Sequence, residues 1–256
     1  MMLVSLLSFF STPVVAQAVP DDVVRLSFDP GWREHDGTHM AGLTIHLAPG
    51  WKTYWRAPGD GGIPPRFNWS GSQNVNGASV QFPVPEVTMV NGIRTIGYKK
   101  AVTFPIRFST IDPNKPVQLH AEVELGVCEE ICVPITVRFQ AELPTKGTAS
   151  DHLRFTIADR PDAGGTMKCE ITPIADGLRL VATVDLPAMG SDEVVVIEAS
   201  EAGVWVSNAI TSRSGRLMTA EVEMVSPSAK PFALARSDVR MTVLASGRAM
   251  EMLGCE

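Results

Sequence analysis

The chain has 256 residues, of which 45% are hydrophobic, so it is long enough to bury one large or two ordinary domain cores. Its 22 Lys and Arg against 28 Asp and Glu give a formal net charge of -6, and the sequence contains no run of basic residues. A nucleic-acid-binding protein needs a surface that attracts phosphates, and this balance argues against one. We therefore expect two domains and no nucleic-acid partner.

The first 18 residues predict an export signal. They are apolar and end on the small-x-small pattern Ala16-Gln17-Ala18, which is typical of a signal-peptidase site, so the mature chain would begin near Val19. No later stretch approaches about 18 uninterrupted apolar residues, the length that a membrane-spanning helix needs. We expect an exported chain with no membrane span after signal removal.

Short, partly alternating apolar segments of the kind that form strands follow along most of the chain. The clearest are 23–28, 42–47, 102–108, 177–186, 193–199, 217–225 and 239–244. The 21 Gly and 19 Pro interrupt these segments, and long helical periodicity is almost absent. The pattern predicts an all-β sandwich and disfavours a helix-rich or βαβ enzyme.

The pattern changes between Pro144 and Pro161, where Ser150 is placed to begin a short helix over 151–158. We place the domain boundary there. The predicted organisation is a signal peptide over 1–18, a first domain over 19–146, a linker over 147–162 and a second β domain over 163–256.

The segment 119–141 predicts a β-hairpin folded about Glu130, because residues whose numbers sum to 260 then oppose one another consistently. Apolar pairs such as Val127 with Val133 share one face. Glu122 meets Arg138 on the other face, an opposite-charge pair that adds roughly 0.2 to 1 kcal/mol. The register of the hairpin is therefore fixed by its own sequence.

In that register Cys128 faces Cys132 across a three-residue loop, within the Cα separation of roughly 4.4 to 6.8 Å that a disulfide requires. Because successive side chains of a strand point to opposite faces, the even-numbered Cys128 and Cys132 lie on the polar face with Glu122 and Arg138, and we expect both sulfurs to be near the surface. The loop that the bond closes is too small to contribute much chain entropy, which favours a redox role. Glu129 and Glu130 raise the cost of a thiolate and so favour an electron donor over an oxidant.

Two other interpretations of this pair remain open. The disulfide could serve only to pin the hairpin tip. Alternatively, Cys-x3-Cys supplies two soft metal ligands, and His120 or a methionine could complete a copper or zinc site.

Cys169 and Cys255 lie at the start and the end of the second half, far apart in sequence. Cysteines in an exported chain are readily paired, and we predict a structural disulfide that anchors the C-terminal end. The alternative is that both stay free or form a second redox centre.

Three motifs carry a resemblance to a known family. Gly50–Pro65 reads GWKTYWRAPGDGGIPP, Gly97-Tyr98 follows, and Gly126–Pro134 reads GVCEEICVP. Together they resemble the amino-terminal periplasmic domain of DsbD/ScsB-type thiol:disulfide reductases, over roughly residues 25 to 145, with a looser resemblance of the second domain to the longer, ScsB-like members. The resemblance implies a periplasmic protein with an immunoglobulin-like β-sandwich followed by a second, smaller β-sandwich-like domain, and with no cofactor.

The resemblance also implies how the protein works. Its cysteine pair would take electrons from a thioredoxin-like periplasmic protein or a membrane thiol:disulfide reductase and pass them to client proteins. The family's membrane and thioredoxin-like domains are not part of this sequence, so we expect the electrons to come from another protein. The alternative is a non-catalytic periplasmic binding module that kept the fold, such as a copper-handling protein.

By position, Cys128 and Cys132 match the family's redox pair, and residues 89–96 fall where the family has a loop that caps the disulfide. The best-known member has a wider cysteine spacing and an aromatic cap, whereas the cap here reads Met-Val-Asn-Gly. We expect partner-binding side chains at five positions on the basis of this resemblance: Trp51, Tyr54, Met89, Val90 and Tyr98.

Overall fold

The structure is a computed structural model that describes residues 23–256, apart from residues 91 and 202. The predicted signal peptide lies outside the described residues. Within them the chain is nearly all β, as the sequence predicts. None of the helices in this described part is long and apolar enough to cross a membrane.

The strands of the first half form two sheets that pack face to face, which we call the first sandwich. Their bounds are β1 (Val24–Arg33), β2 (His39–Leu47), β3 (Lys52–Gly59), β4 (Arg66–Asn68), β5 (Val75–Val80), β6 (Glu86–Val90), β7 (Ile93–Lys99), β8 (Ala101–Thr110), β9 (Val117–Cys128) and β10 (Cys132–Leu143). One sheet has the order β1-β2-β8-β5. The other has the order β10-β9-β3-β7-β6, with β4 paired to β9.

Alternating apolar side chains form the core between these two sheets. Along β9, every second residue from Val117 to Val127 is buried, because this strand turns one face towards β8 and its neighbours. Burial of each large aliphatic side chain contributes roughly 1.5 to 3 kcal/mol. Opposite them, Phe104 and Phe108 of β8 are fully buried.

His39, at the start of β2, is a fully buried polar residue of this sandwich. Its Nε2 lies 2.6 Å from the carbonyl oxygen of Pro30, and its Nδ1 lies 3.2 Å from Nε of Arg33. Burial lowers the pKa of His39 below its ordinary value, because an imidazolium would lose its hydration there. The neutral ring is the form that the fold selects.

The second half forms another pair of sheets, which we call the second sandwich. Its elements are β11 (Asp162–Ala163), β12 (Met167–Ile174), β13 (Gly177–Asp185), β14 (Val194–Glu198), β15 (Trp205–Val206), β16 (Ile210–Ser214), β17 (Leu217–Val225), a 3₁₀ turn (Arg236–Asp238), β18 (Arg240–Ala245) and β19 (Arg248–Leu253). One sheet has the order β11-β19-β18-β14, and the other β12-β13-β17-β15 with β16 also on β17. The two strand sets follow the segments that the sequence indicates.

The predicted linker contains helix α1 (Asp151–Ala158), which begins at Ser150 as expected. Ser150 Oγ accepts a hydrogen bond from the Leu153 N–H at 3.1 Å, a standard N-cap. Leu153 is fully buried, and Gln81 of the first sandwich donates to the carbonyl of Ile157. The segment is thus packed on the first sandwich, and the exact domain boundary stays a prediction.

The two sandwiches meet through both apolar and charged side chains. Leu244 and Ala249 of the second sandwich are buried in the same cluster as the core of the first. Arg56 of β3 donates from Nε to Glu198 at 3.0 Å and from Nη2 to Glu251 at 2.6 Å. Burial raises the pKa of Glu198, with the nearby Arg56 guanidinium acting in the opposite direction.

Candidate redox site

The β9–β10 hairpin has the register that the sequence predicts. Val133 pairs with Val127, and Arg138 pairs with Glu122. Arg138 Nε lies 2.5 Å from a carboxylate oxygen of Glu122, which confirms the cross-strand ion pair. The predicted hairpin is therefore confirmed residue by residue.

Cys128 and Cys132 form a disulfide at the end of this hairpin, with their Cα atoms 4.2 Å apart, just below the expected range. Cys132 is exposed, whereas Cys128 is only 1% exposed. The expectation that both sulfurs lie near the surface is thus right for Cys132 and wrong for Cys128. Parity places Cys128 off the core face, but a separate segment of the chain covers that face here.

The covering segment is residues 59–63, which we call the cover loop. The Gly126 N–H donates to the carbonyl of Ile63 at 3.3 Å, so the loop runs along β9 two residues before Cys128. A Cβ on Gly126 would lie 2.7 Å from Cβ of Ile63, so only glycine admits so close an approach. Thr53 Oγ1 donates to the Gly126 carbonyl at 2.9 Å and ties β3 to the same point.

Tyr54 is the side chain that meets both sulfurs. Its hydroxyl lies 2.8 Å from Cys128 Sγ and 3.1 Å from Cys132 Sγ, and the residue is 1% exposed. Burial raises the pKa of Tyr54, because a phenolate would be poorly solvated. The hydroxyl therefore stays protonated and can donate to sulfur.

The cover loop also holds the Tyr54 ring. A Cβ on Gly62 would overlap that ring and would lie 2.8 Å from Cβ of Pro58. The loop and the ring are therefore in direct contact, and a change in one displaces the other.

An open cleft of about 660 Å³ lies beside the disulfide. It is lined by the two cysteines, Tyr54, residues 61–63 of the cover loop and these further side chains: Lys52, Ile93, Thr95, Glu129 and Glu130. Lys52 lies on the strand next to β9, and its ammonium is 3.3 Å from Thr95 Oγ1. The cleft thus brings one cation as well as the two predicted carboxylates to the disulfide.

Exposed apolar side chains stand around this cleft. Ile131, between the cysteines, is 76% exposed, and Ile93 is 52% exposed. Met89, 63% exposed, lies on the same β6–β7 hairpin as Ile93. The sequence analysis did not single out Ile93 or Ile131, because a lone isoleucine carries no signal of whether its side chain is exposed.

The five residues expected to bind a partner have different environments. Met89 is exposed, and Tyr54 lies under the disulfide. Trp51 is half-buried against the core of the first sandwich. Tyr98 is 7% exposed and donates its hydroxyl to the carbonyl of Pro83 at 2.8 Å, so its contacts are those of a core residue. The side chain of Val90 lies outside the described residues.

His120 lies too far from the cysteine pair to share a metal ion with it. His120 lies on β9 eight residues before Cys128, roughly 26 Å away at a strand rise of about 3.3 Å. Among the residues that the structure describes, His, Cys, Asp and Glu side chains do not come together in any group of three or more able to hold a metal. A copper or zinc site built from the cysteine pair and His120 is therefore wrong.

Cys169 and Cys255 form the second disulfide. Cys169 lies on β12 and is 7% exposed, and Cys255, which follows β19, forms a bridge with Met167 of β12. The bond therefore fixes the C-terminal end beside β12. Its role as a structural bond stays a prediction.

Comparison with known proteins agrees with this geometry. The sequence matches the family model described as "Thiol:disulfide interchange protein DsbD, N-terminal" over residues 17–144, half of the chain. The chain belongs to this DsbD N-terminal domain family. The part matched to the DsbD model contains the disulfide hairpin, Tyr54 and the cover loop. No curated protein sequence matches the chain.

Among solved structures, the chain is similar to the crystal structure of the N-terminal periplasmic domain of ScsB from Proteus mirabilis. The TM-score is 0.65 at 22% identity, over 94% of this chain and 97% of that one. This likeness supports the fold, and the immunoglobulin-like all-β architecture expected of a DsbD-family domain is confirmed. A marsupial T cell receptor chain, aligned over 93% of this chain and 97% of its own at 10% identity, has a TM-score of 0.22 and supports nothing further.

Proposed function

We propose that this chain is a periplasmic thiol-disulfide interchange module. It exchanges electrons through Cys128 and Cys132 with a thioredoxin-like protein or a membrane thiol:disulfide reductase. The observation that supports this most is the asymmetry of the disulfide. One sulfur is exposed beside an open cleft, and the other is buried against the Tyr54 hydroxyl. The family and the description of the ScsB structure support the periplasmic location.

Exchange begins at the exposed sulfur. A thiolate of the partner attacks Cys132 Sγ, the disulfide bond breaks, and Cys128 leaves as a thiolate while a mixed disulfide joins the partner to Cys132. Tyr54 donates a hydrogen bond to the leaving sulfur, and the Lys52 ammonium in the cleft favours its negative charge.

The second thiol of the partner completes the reaction. It attacks the partner's own sulfur in the mixed disulfide, which releases an oxidised partner and the reduced Cys128 and Cys132. Two electrons and two protons pass from partner to chain in all. Reduced Cys132 then attacks a client disulfide in the same way, which returns the chain to its oxidised form.

Trapping experiments test this order of events. Cys128→Ser should trap a mixed disulfide between Cys132 and a thioredoxin-like protein that itself lacks its second cysteine. Cys132→Ser should trap little, because the remaining thiol is buried. The double variant Cys169→Ala/Cys255→Ala is the control and should exchange normally.

Equal trapping by both single variants would contradict entry through Cys132. If neither variant traps a partner and both keep full exchange, the cysteine pair is not the redox centre. The reduction potential gives an independent measure: we expect a value in the span of thiol-exchange proteins, roughly -270 to -120 mV, whereas one below about -300 mV would indicate an inert bond.

A further inference from the structure

The cover loop lies between the disulfide cleft and the second sandwich. On one side Gly62 rests on the Tyr54 ring, whose hydroxyl contacts both sulfurs. On the other side a cavity of about 460 Å³ separates the loop and the end of β3 from β14 and from the segment 204–209. Because there is open space on both sides, the position of the cover loop depends on the groups that form hydrogen bonds and ion pairs with it and with the residues beside it.

Asp60 holds the cover loop in place by hydrogen bonds within the first sandwich. Its N–H donates to the Arg94 carbonyl at 2.9 Å, and its Oδ2 accepts from the Arg94 N–H at 2.8 Å. Arg94 follows Ile93, which also lines the disulfide cleft. Asp60 therefore ties the cover loop to the start of β7, next to a residue of the cleft. The Arg94 N–H is also the largest cause that lowers the pKa of Asp60, so its carboxylate is ionised and accepts strongly.

The second sandwich binds the same carboxylate. Asn208, which lies between β15 and β16, donates from Nδ2 to Oδ1 of Asp60 across 148 positions of sequence. Arg56, four residues before Asp60, is held on the second sandwich by Glu198 and Glu251. The backbone that leads into the cover loop and the loop itself are thus both fastened from that side.

We propose that the second sandwich positions the redox disulfide, with Asn208 acting through Asp60 and the cover loop on Tyr54. The inference rests on the proposed function of the cysteine pair but concerns the reactivity of the disulfide itself, whatever its partner. While the Asn208 contact is made, the loop holds the Tyr54 hydroxyl against the sulfurs. When the contact is lost, the loop and the ring can move away, and the leaving sulfur loses its donor. Asn208 touches neither sulfur and is a positioning residue.

The test is Asn208→Ala in the full chain, with the rate at which glutathione reduces the Cys128–Cys132 bond as the readout. Alkylation and mass mapping of these two cysteines separate this bond from the second disulfide. We expect reduction to be slower by about two- to tenfold, the factor that one net hydrogen bond supports. Asn208 is exposed, so the melting temperature should not change. Asn208→Asp, which sets a carboxylate against Asp60, should slow reduction at least as much.

A double-mutant cycle decides whether the effect runs through Tyr54. In a Tyr54→Phe background, Asn208→Ala should cause no further slowing. The control is Asp185→Asn, which breaks an exposed ion pair with Arg216 at the end of β13 remote from β15 and should leave the rate unchanged.

Two results would overturn the proposal: an unchanged rate in both Asn208 variants, or equal slowing in the presence and absence of the Tyr54 hydroxyl. The rate with glutathione does not depend on a protein partner. If no thioredoxin-like protein exchanged with the chain while these rate changes were observed, the proposed function would fail and this inference would stand.

Discussion

Removal of the Tyr54 hydroxyl is the sharpest test of how the site works. The hydroxyl lies 2.8 Å from the sulfur of Cys128, the predicted leaving group, and burial keeps it protonated. Tyr54→Phe removes one oxygen and keeps the ring that rests on the cover loop. The change therefore isolates the hydrogen bond from the packing.

The size of the effect follows from the charge that develops on Cys128. A hydrogen bond to a charged group is worth about 1.5 to 3 kcal/mol, so its loss should raise the pKa of the Cys128 thiol by about 1 to 2 units. If about half of that charge has developed in the transition state, reduction of the disulfide should be about three- to tenfold slower.

Two measurements check these values. The reduction rate is followed with glutathione, and the pKa of the Cys128 thiol is measured by thiolate absorbance in a Cys132→Ser background, with and without Tyr54→Phe. The other tyrosine of the chain supplies the control. Tyr98→Phe also loses a buried hydrogen bond, to the Pro83 carbonyl, and should cost about 0.5 to 1.5 kcal/mol of stability without a change in the reduction rate. Equal rates for wild type and both variants would refute the role of the Tyr54 hydroxyl.

Three further predictions concern packing, the second disulfide and pH. Gly62→Ala should lower stability by about 1 to 3 kcal/mol and alter the reduction rate, because its Cβ meets the ring beneath it, whereas Gly77→Ala meets no atom within 4 Å and should be nearly neutral. Indistinguishable urea midpoints for the two variants would count against the cover-loop contact. Replacing both Cys169 and Cys255 by Ala should lower the free energy of unfolding by up to about 4 to 5 kcal/mol, the chain-entropy value for their separation of 86 residues. Exchange at the first disulfide should stay normal. Loss of exchange would indicate a second redox centre instead. Burial lowers the pKa of His39, so the unfolded chain binds a proton before the folded chain does as the pH falls below about 6.5, and the free energy of unfolding decreases. His39→Gln should therefore show a shallower decrease in the free energy of unfolding between about pH 7 and 5. Parallel pH curves for wild type and variant would exclude the effect.

Local patterns determined much of this protein. The period-2 alternation and the opposite-charge pair of 119–141 admit one register, and the structure has that register. Ser150 similarly predicts the start of helix α1 from the sequence alone. In both cases the interacting residues are close along the chain, so the sequence displays the interaction directly.

The exposure of each sulfur was decided only by the tertiary structure. Parity assigns Cys128 to the face away from the core, but it cannot show that the cover loop and Tyr54, 74 positions earlier, lie on that face. The same holds for the contact of Asn208 with Asp60. Strand periodicity tells which face of a strand is apolar, whereas what covers the other face depends on how distant segments pack, and no local pattern records that.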